Sequence, residues 1–193
     1  MQLQQDIPAS CRLWVFVHGP LAVWRRSAED AWEPVEKEVW GKGRPARSVF
    51  KRLLAATGRR LSRGTLQEDI WPDMQDGELA DKSLYNAINQ IRQVIGKTLL
   101  KTIESIYEIV DQSQVWVDCD AAEALLKEAE NLGHSSIQAL PSLEQALSYL
   151  ERGELFEGES GTWVYAVRKK SEDLLRQCRL WLAETYERDG KLL

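Results

Sequence analysis

An α+β unit followed by an all-α one is the fold class that this sequence predicts, and three observations carry the prediction. Leu13, Val15 and Val17 alternate with Trp14 and Phe16 near the start, the pattern of short strands. Between Pro45 and Gly96 apolar residues recur at three- and four-residue steps in three successive runs, which is helical spacing. Beyond Val117 only helical runs follow. With 193 residues, 44% of them hydrophobic and 28% charged, the chain has room for one ordinary domain or two small ones and the composition to bury a core.

The elements follow in order. Gly19-Pro20 breaks the opening strand before Leu21-Ala22-Val23-Trp24, and strand-like scraps at Trp32 to Val35 and at Val39-Trp40 complete a small sheet closed by Gly41 and Gly43. From Pro45, Val49, Phe50, Leu53, Leu54 and Thr57 mark a first helix, with Gly58 placed as its C-cap. Ser62 can accept a hydrogen bond from a backbone N–H and so start a second, short helix, whose apolar face is Leu66, Ile70 and Trp71 before Pro72 stops it. After a polar loop from Asp73 to Glu78, a third helix spans about Leu79 to Ile95 and ends at Gly96. Leu99 to Ile103 and Tyr107 to Val110 then read as a hairpin, with Val115-Trp116-Val117 as its possible third strand. A sheet, three helices and a hairpin in that order is the winged-helix arrangement.

In the second half, Asp120 with Glu123 and Ser142 with Gln145 have the spacing of capping boxes, so helices are predicted to start at both places. Ala124, Leu125, Ala129 and Leu132 line the first of these, and Leu143, Ala146, Leu147 and Leu150 the second. A long third helix from about Thr162 to Asp189 carries Trp163, Leu174, Leu175, Cys178, Trp181, Leu182 and Tyr186. Stacked helical repeats usually need about three units to bury their faces, so the chain is read as a piece of a longer protein.

Several function classes receive no support. The uncharged run Leu13 to Trp24 is twelve residues, well short of the roughly 18 to 20 needed for a membrane span, and no secretory leader is visible, which makes the cytoplasm the expected location. Cys11, Cys119 and Cys178 lie far apart, and His18 and His134 have no metal-ligand spacing, so neither disulfides nor a metal site is expected. No phosphate-binding glycine loop, dinucleotide fingerprint or nucleophile elbow occurs; Gly41-Lys42-Gly43 lacks the rest of a P-loop. No cofactor and no catalytic residue is predicted.

Charge points elsewhere. Residues 1–110 hold 16 Lys/Arg against 14 Asp/Glu, net +2, whereas 111–193 hold 9 against 16, net −7. Lys42, Arg44, Arg47, Lys51, Arg52, Arg59, Arg60 and Arg63 fall in 22 residues without one acid. Such a run is either a solvated helix face or a surface that follows phosphates. On the third helix, Leu84, Ala87, Ile88, Ile91, Val94 and Ile95 share the inward face. The opposite face carries Lys82, Asn86, Asn89 and Gln93 beside Tyr85 and Arg92, with no acid between Lys82 and Lys97. A plain surface helix mixes in Glu for solubility. Amides and guanidinium are the groups that pair with adenine N6/N7 and guanine O6/N7 in a major groove, although neutral surface filler is the alternative.

The run Arg47 to Leu54, the segment Gly58-Arg59-Arg60-Leu61-Ser62, the Ile70-Trp71-Pro72 helix end and the Leu84, Ile88, Ile91-Arg92, Gly96 spacing resemble the OmpR/PhoB-type winged helix of Streptomyces antibiotic regulatory proteins. Trp116-Val117-Asp118, Leu125-Leu126, Leu143 to Leu150, Gly153-Glu154-Leu155-Phe156, Trp163 and Arg168 are similar to the tetratricopeptide-like bacterial transcriptional activation domain that follows it in that family. The resemblance implies a winged-helix domain over 1–117 and a helical activation domain over 118–193. It implies a bacterial transcription activator that binds double-stranded DNA as a homodimer. Lys82, Tyr85, Asn86, Asn89, Arg92 and Gln93 would touch bases or the groove, and Arg47, Lys51, Arg63 and Lys101 would touch phosphates. The loop 73–78 would meet RNA polymerase. Two departures from the family pattern weaken nonspecific affinity: the wing has Ile106-Tyr107-Glu108 with Glu104 nearby, where glycines before the Tyr and a basic residue after it are usual, and Gln93 stands where a second basic residue is common. The rival reading is a protein-interaction module whose winged helix no longer reads bases.

Overall fold

The computed structural model describes residues 10–41 and 45–190. It has a mixed α/β N-terminal part and a helical C-terminal region. The order is β1 (Leu13–Phe16), β2 (Ala22–Arg26), β3 (Trp32–Pro34), α1 (Pro45–Ala55), β4 (Arg60–Ser62), α2 (Arg63–Ile70), α3 (Gly77–Ile95), β5 (Leu100–Ile103), β6 (Ile106–Ile109), β7 (Val115–Val117), α4 (Asp118–Asn131), α5 (Leu140–Leu150) and α6 (Thr162–Arg188). Two sheets result, β3-β2-β1-β7 and β4-β6-β5. The described residues divide into two compact units, the first holding 10–14, 22–115 and 159–164, the second 15–21, 116–158 and 165–190. The sequence expects the boundary between the two domains at 117/118.

Several sequence expectations need correction. β7 is a strand, but its partner is β1 and not the hairpin; the hairpin's third strand is β4, with Arg60 opposite Glu108 and Leu61 opposite Tyr107. Three residues bearing one charge and one hydroxyl give no periodicity to read, so β4 was invisible. Residues Val39-Trp40 lie in a 3-10 turn, Lys37–Trp40, because the Trp40 ring turns inward onto Phe50, centroids 5.4 Å apart. Helix α1 stops at Ala55, and Gly58 sits at φ +64 inside a following 3-10 turn, three residues past the helix it was expected to cap.

The first unit is built on Val49, Phe50 and Leu53 of α1, Leu66 of α2, and Leu84, Ile88 and Ile91 of α3, all with at most 1% of their surface exposed. These are the inward positions that the 3.6-residue period assigns. Ser62 caps α2 as predicted, its hydroxyl accepting from the Thr65 N–H at 3.1 Å. Helix α3 begins two residues earlier than the apolar pattern suggests, because Asp76 accepts from the N–H groups of Glu78 and Leu79.

In the second unit neither Asp120 nor Ser142 stands at the N-cap expected of it. Helix α4 starts at Asp118, whose fully buried carboxylate accepts from the N–H groups of Val17 (2.9 Å), His18 (3.1 Å) and Cys119 (2.9 Å). That carboxylate therefore fixes the segment 15–21 as well as the helix start. Helix α5 opens with Pro141 in its first turn, and Ser142, inside the helix, donates to Glu128 of α4 at 3.0 Å. Small buried residues, Ala122 and Ala129 on α4 and Ala146 on α5, let the pair approach closely, with Leu126, Leu143 and Leu150 filling the seam. The loop after α5 runs against residues 17–19: Phe156 donates its N–H to Val17 at 2.7 Å, and Gly19 donates to Glu154 at 2.9 Å. A Cβ on Gly153 would lie 2.7 Å from the Gly19 Cα, so both positions need glycine for this approach.

Cys178 on α6 is fully buried and donates to the Leu143 carbonyl at 3.3 Å. Burial, with the Glu151 carboxylate adding to it, pushes its thiol pKa up to about 11. Thiolate is the reactive form, so iodoacetamide at pH 8 is expected to leave Cys178 unmodified while half-buried Cys119 reacts. Peptide mass spectrometry of the alkylated native protein checks this; rapid modification of Cys178 at pH 8 would contradict the burial described. Among the described residues no helix is long and apolar enough to cross a membrane.

Candidate nucleic-acid interface

The outward face of α3 has the composition expected and a mixed set of placements. Lys82, Asn86 and Gln93 are exposed, Tyr85 presents 64% of its surface, and Asn89 is half-buried between them. Arg92 is committed further inward: its Nε donates to the Leu100 carbonyl at 3.0 Å and its Nη2 to the Thr102 hydroxyl at 2.8 Å, which ties the end of α3 to strand β5. A guanidinium with two bonds to the hairpin acts on how that hairpin stands beside the helix.

Gln90, one helical turn along the flank, donates to the Val39 carbonyl and packs under Gly41, so the chain's own 37–41 segment covers that edge of the helix. The remainder of the face, from Lys82 through Tyr85 and Asn89 to Gln93, is not covered by it. Gln93 also reaches the rim of a cleft of about 570 Å³ at the helix C-terminus, beside Arg12, Arg25 and Gln114.

The hairpin beside α3 closes between Ile103 and Ile106, with Glu104 and Ser105 both left-handed at φ +47 and +67. Two positive φ values are what a two-residue turn needs to match the strand twist, and side chains there cost energy that glycine would not. The tip is therefore Glu104-Ser105, with Ile103 exposed beside it. Lys101 is exposed, and in register both it and Arg60 stand opposite Glu108, which places one carboxylate-bearing residue between two cationic ones. Tyr107 lies between Leu61 and Thr102; burial raises its phenol pKa while Arg63 and Arg92 pull the other way.

Part of the basic window is consumed within the first unit. Lys51, expected on phosphate, is only 6% exposed, and its ammonium lies 3.0 Å from Glu159. Arg52 bonds Asp69 at 2.6 Å and lies over the Trp163 ring at 5.5 Å. Arg59 is buried. Sequence spacing could not reveal this, because Glu159 is more than a hundred residues away. Arg47 is half-buried on α1, and Arg63 and Arg60 remain exposed. Lys42 and Arg44 lie outside the described residues.

One participant was missed. Asp81 of α3 accepts from Gln67 Nε2 at 2.7 Å and from Arg63 Nη1 at 3.4 Å. Its signal in the sequence is its place directly before Lys82, at the N-terminal edge of the acid-free face. Among the described residues no group of three His, Cys, Asp or Glu side chains is arranged to hold a metal ion.

No protein-family model matches the sequence, and no curated protein matches it either. Among solved structures the chain is similar to Mycobacterium tuberculosis EmbR, in a structure with a low affinity phosphopeptide. The TM-score is 0.63 at 16% identity, over 93% of this chain and 47% of that one. At that identity the likeness shows the fold alone, and this chain spans about half the length of EmbR.

Proposed function

We propose that the chain is a bacterial DNA-binding transcription activator, with a winged-helix domain over residues 1–117 and a tetratricopeptide-like activation domain from 118 onward. Helix α3 lies in the major groove, and Lys82, Tyr85, Asn86, Asn89 and Gln93 meet bases or the groove walls. Arg63, Arg47 and Lys101 take phosphates, and Arg92 sets the wing β5–β6 against the helix. The helical domain serves dimerisation or activation contacts, the loop 73–78 meets RNA polymerase, and the protein works in the cytoplasm. The observation that carries this reading is the outward face of α3: exposed amides, an ammonium and an aromatic ring, without a carboxylate from Lys82 to Gln93.

Phosphate contact releases counterions, so duplex affinity is expected to fall by a factor of about 10 to 100 between 50 and 200 mM salt for roughly two to four contacts. A mobility-shift titration at the two ionic strengths tests it; no shift at 50 mM salt removes the proposal. A second reading, a protein-docking module, is favoured by the acidic wing tip at Glu104 and by the coverage of Gln90. It predicts capture of a protein partner unaffected by Asn89→Ala.

A further inference from the structure

The geometry points to Asp81 as a positioning residue that holds Arg63 back from phosphate and so limits the chain's affinity for duplexes of any sequence. This rests on the DNA-binding reading above. Arg63 begins α2 and Asp81 lies in the first turns of α3; both side chains are half exposed, with Nη1 and Oδ2 3.4 Å apart. The carboxylate is itself held, since Gln67, one turn along α2 from Arg63, donates to its other oxygen at 2.7 Å. Asp81 therefore has a fixed place from which to attract the guanidinium. Arg63 is further oriented by its backbone, whose N–H donates to the Ser105 carbonyl at the hairpin tip, so the side chain leaves from a point where helix and wing meet.

On the DNA-binding reading, Arg63 is one of the residues that take a phosphate. A carboxylate within salt-bridge distance of the arginine then does two things. It competes with phosphate as the guanidinium's partner, and its own charge repels the backbone. The arginine arrives already neutralised, so its phosphate contact releases less condensed counterion than an unpaired arginine would. The nearby Tyr107 phenol remains neutral, as its raised pKa requires, and does not replace the carboxylate.

The test uses Asp81→Asn, which keeps the shape and an acceptor for Gln67, in the full chain, with far-ultraviolet circular dichroism to confirm folding. Fluorescence anisotropy is read against a labelled 20-base-pair duplex of arbitrary sequence and against heparin, each at several salt concentrations. Asp81→Asn is expected to bind both polyanions about three- to fivefold more tightly at low salt, as the loss of an exposed pair allows. The slope of log affinity against log salt should steepen by about one on the duplex. In the Arg63→Ala background the same substitution should give a clearly smaller gain, only what the carboxylate's own repulsion accounts for, whereas Glu104→Gln, a wing acid not paired with Arg63, should give whatever gain it has in both backgrounds. Equal gains from Asp81→Asn with and without Arg63 would reduce its role to general repulsion and overturn the inference. An unchanged slope would overturn it too. If the unaltered chain binds neither polyanion at low salt, the DNA-binding reading falls and this inference falls with it. Duplex binding by the unaltered chain with no change in the variant sinks only the inference.

Discussion

Asp118→Ala is expected to destabilise the second unit by about 3–5 kcal/mol, the largest stability effect of any single side chain described. The fully buried carboxylate accepts three backbone N–H groups, from Val17, His18 and Cys119, and its Oδ2 lies 3.4 Å from His18 Nδ1. Alanine leaves all three donors buried and unpaired, each at about 1–3 kcal/mol before relaxation. It also frees the segment 15–21, which pairs with the 154–156 loop through Val17 and Gly19. Urea unfolding followed by far-ultraviolet circular dichroism checks the prediction, and Asp118→Asn, which keeps one carbonyl acceptor, should lose less. A cost below about 1 kcal/mol for the alanine variant would mean that water satisfies these groups.

Asn89→Ala carries the largest expected effect on recognition. The residue lies at the middle of the α3 face, flanked by Tyr85, Lys82 and Gln93. A bidentate amide-to-adenine pair is worth about 1–3 kcal/mol of discrimination, so its loss should narrow the ratio between a selected operator and random duplex by about 10- to 100-fold. Affinity for random duplex should hardly move. Arg63→Ala should do the reverse, weakening all duplexes alike. Arg92→Ala belongs with Arg63, because its bonds to Leu100 and Thr102 make it a support for the wing rather than a free reader. Selection of bound fragments from random DNA, followed by anisotropy on selected and scrambled duplexes, separates the three.

The helices of the first unit were legible because long periodic runs state their own face: Leu84, Ile88 and Ile91 are buried as the period demands. Ser62 was legible because a cap is a local device, read from a few neighbouring residues. What could not be read was set by partners distant in sequence. Val115–Val117 has strand character on its own, but nothing local says that it pairs with β1. The capping-box spacings at Asp120 and Ser142 were sound local signals, overridden by Asp118 bonding to residues 17 and 18 and by Pro141 starting its helix early. The same holds at the candidate interface. The face of α3 was predicted from periodicity, whereas the neutralisation of Lys51 by Glu159 and of Arg63 by Asp81 depends on which acids the fold brings near. A charge window in sequence is thus an upper bound on the charge a surface offers.

The most direct measurement is amide mapping by nuclear magnetic resonance, with isotope-labelled protein titrated with a short duplex at low salt. The proposal predicts that shifts concentrate at Lys82, Tyr85, Asn86, Asn89 and Gln93, with a second set at Arg63 and the 101–106 hairpin, and fade as salt rises. Shifts confined to α4, α5 or α6, or none on the outward face of α3, would contradict it.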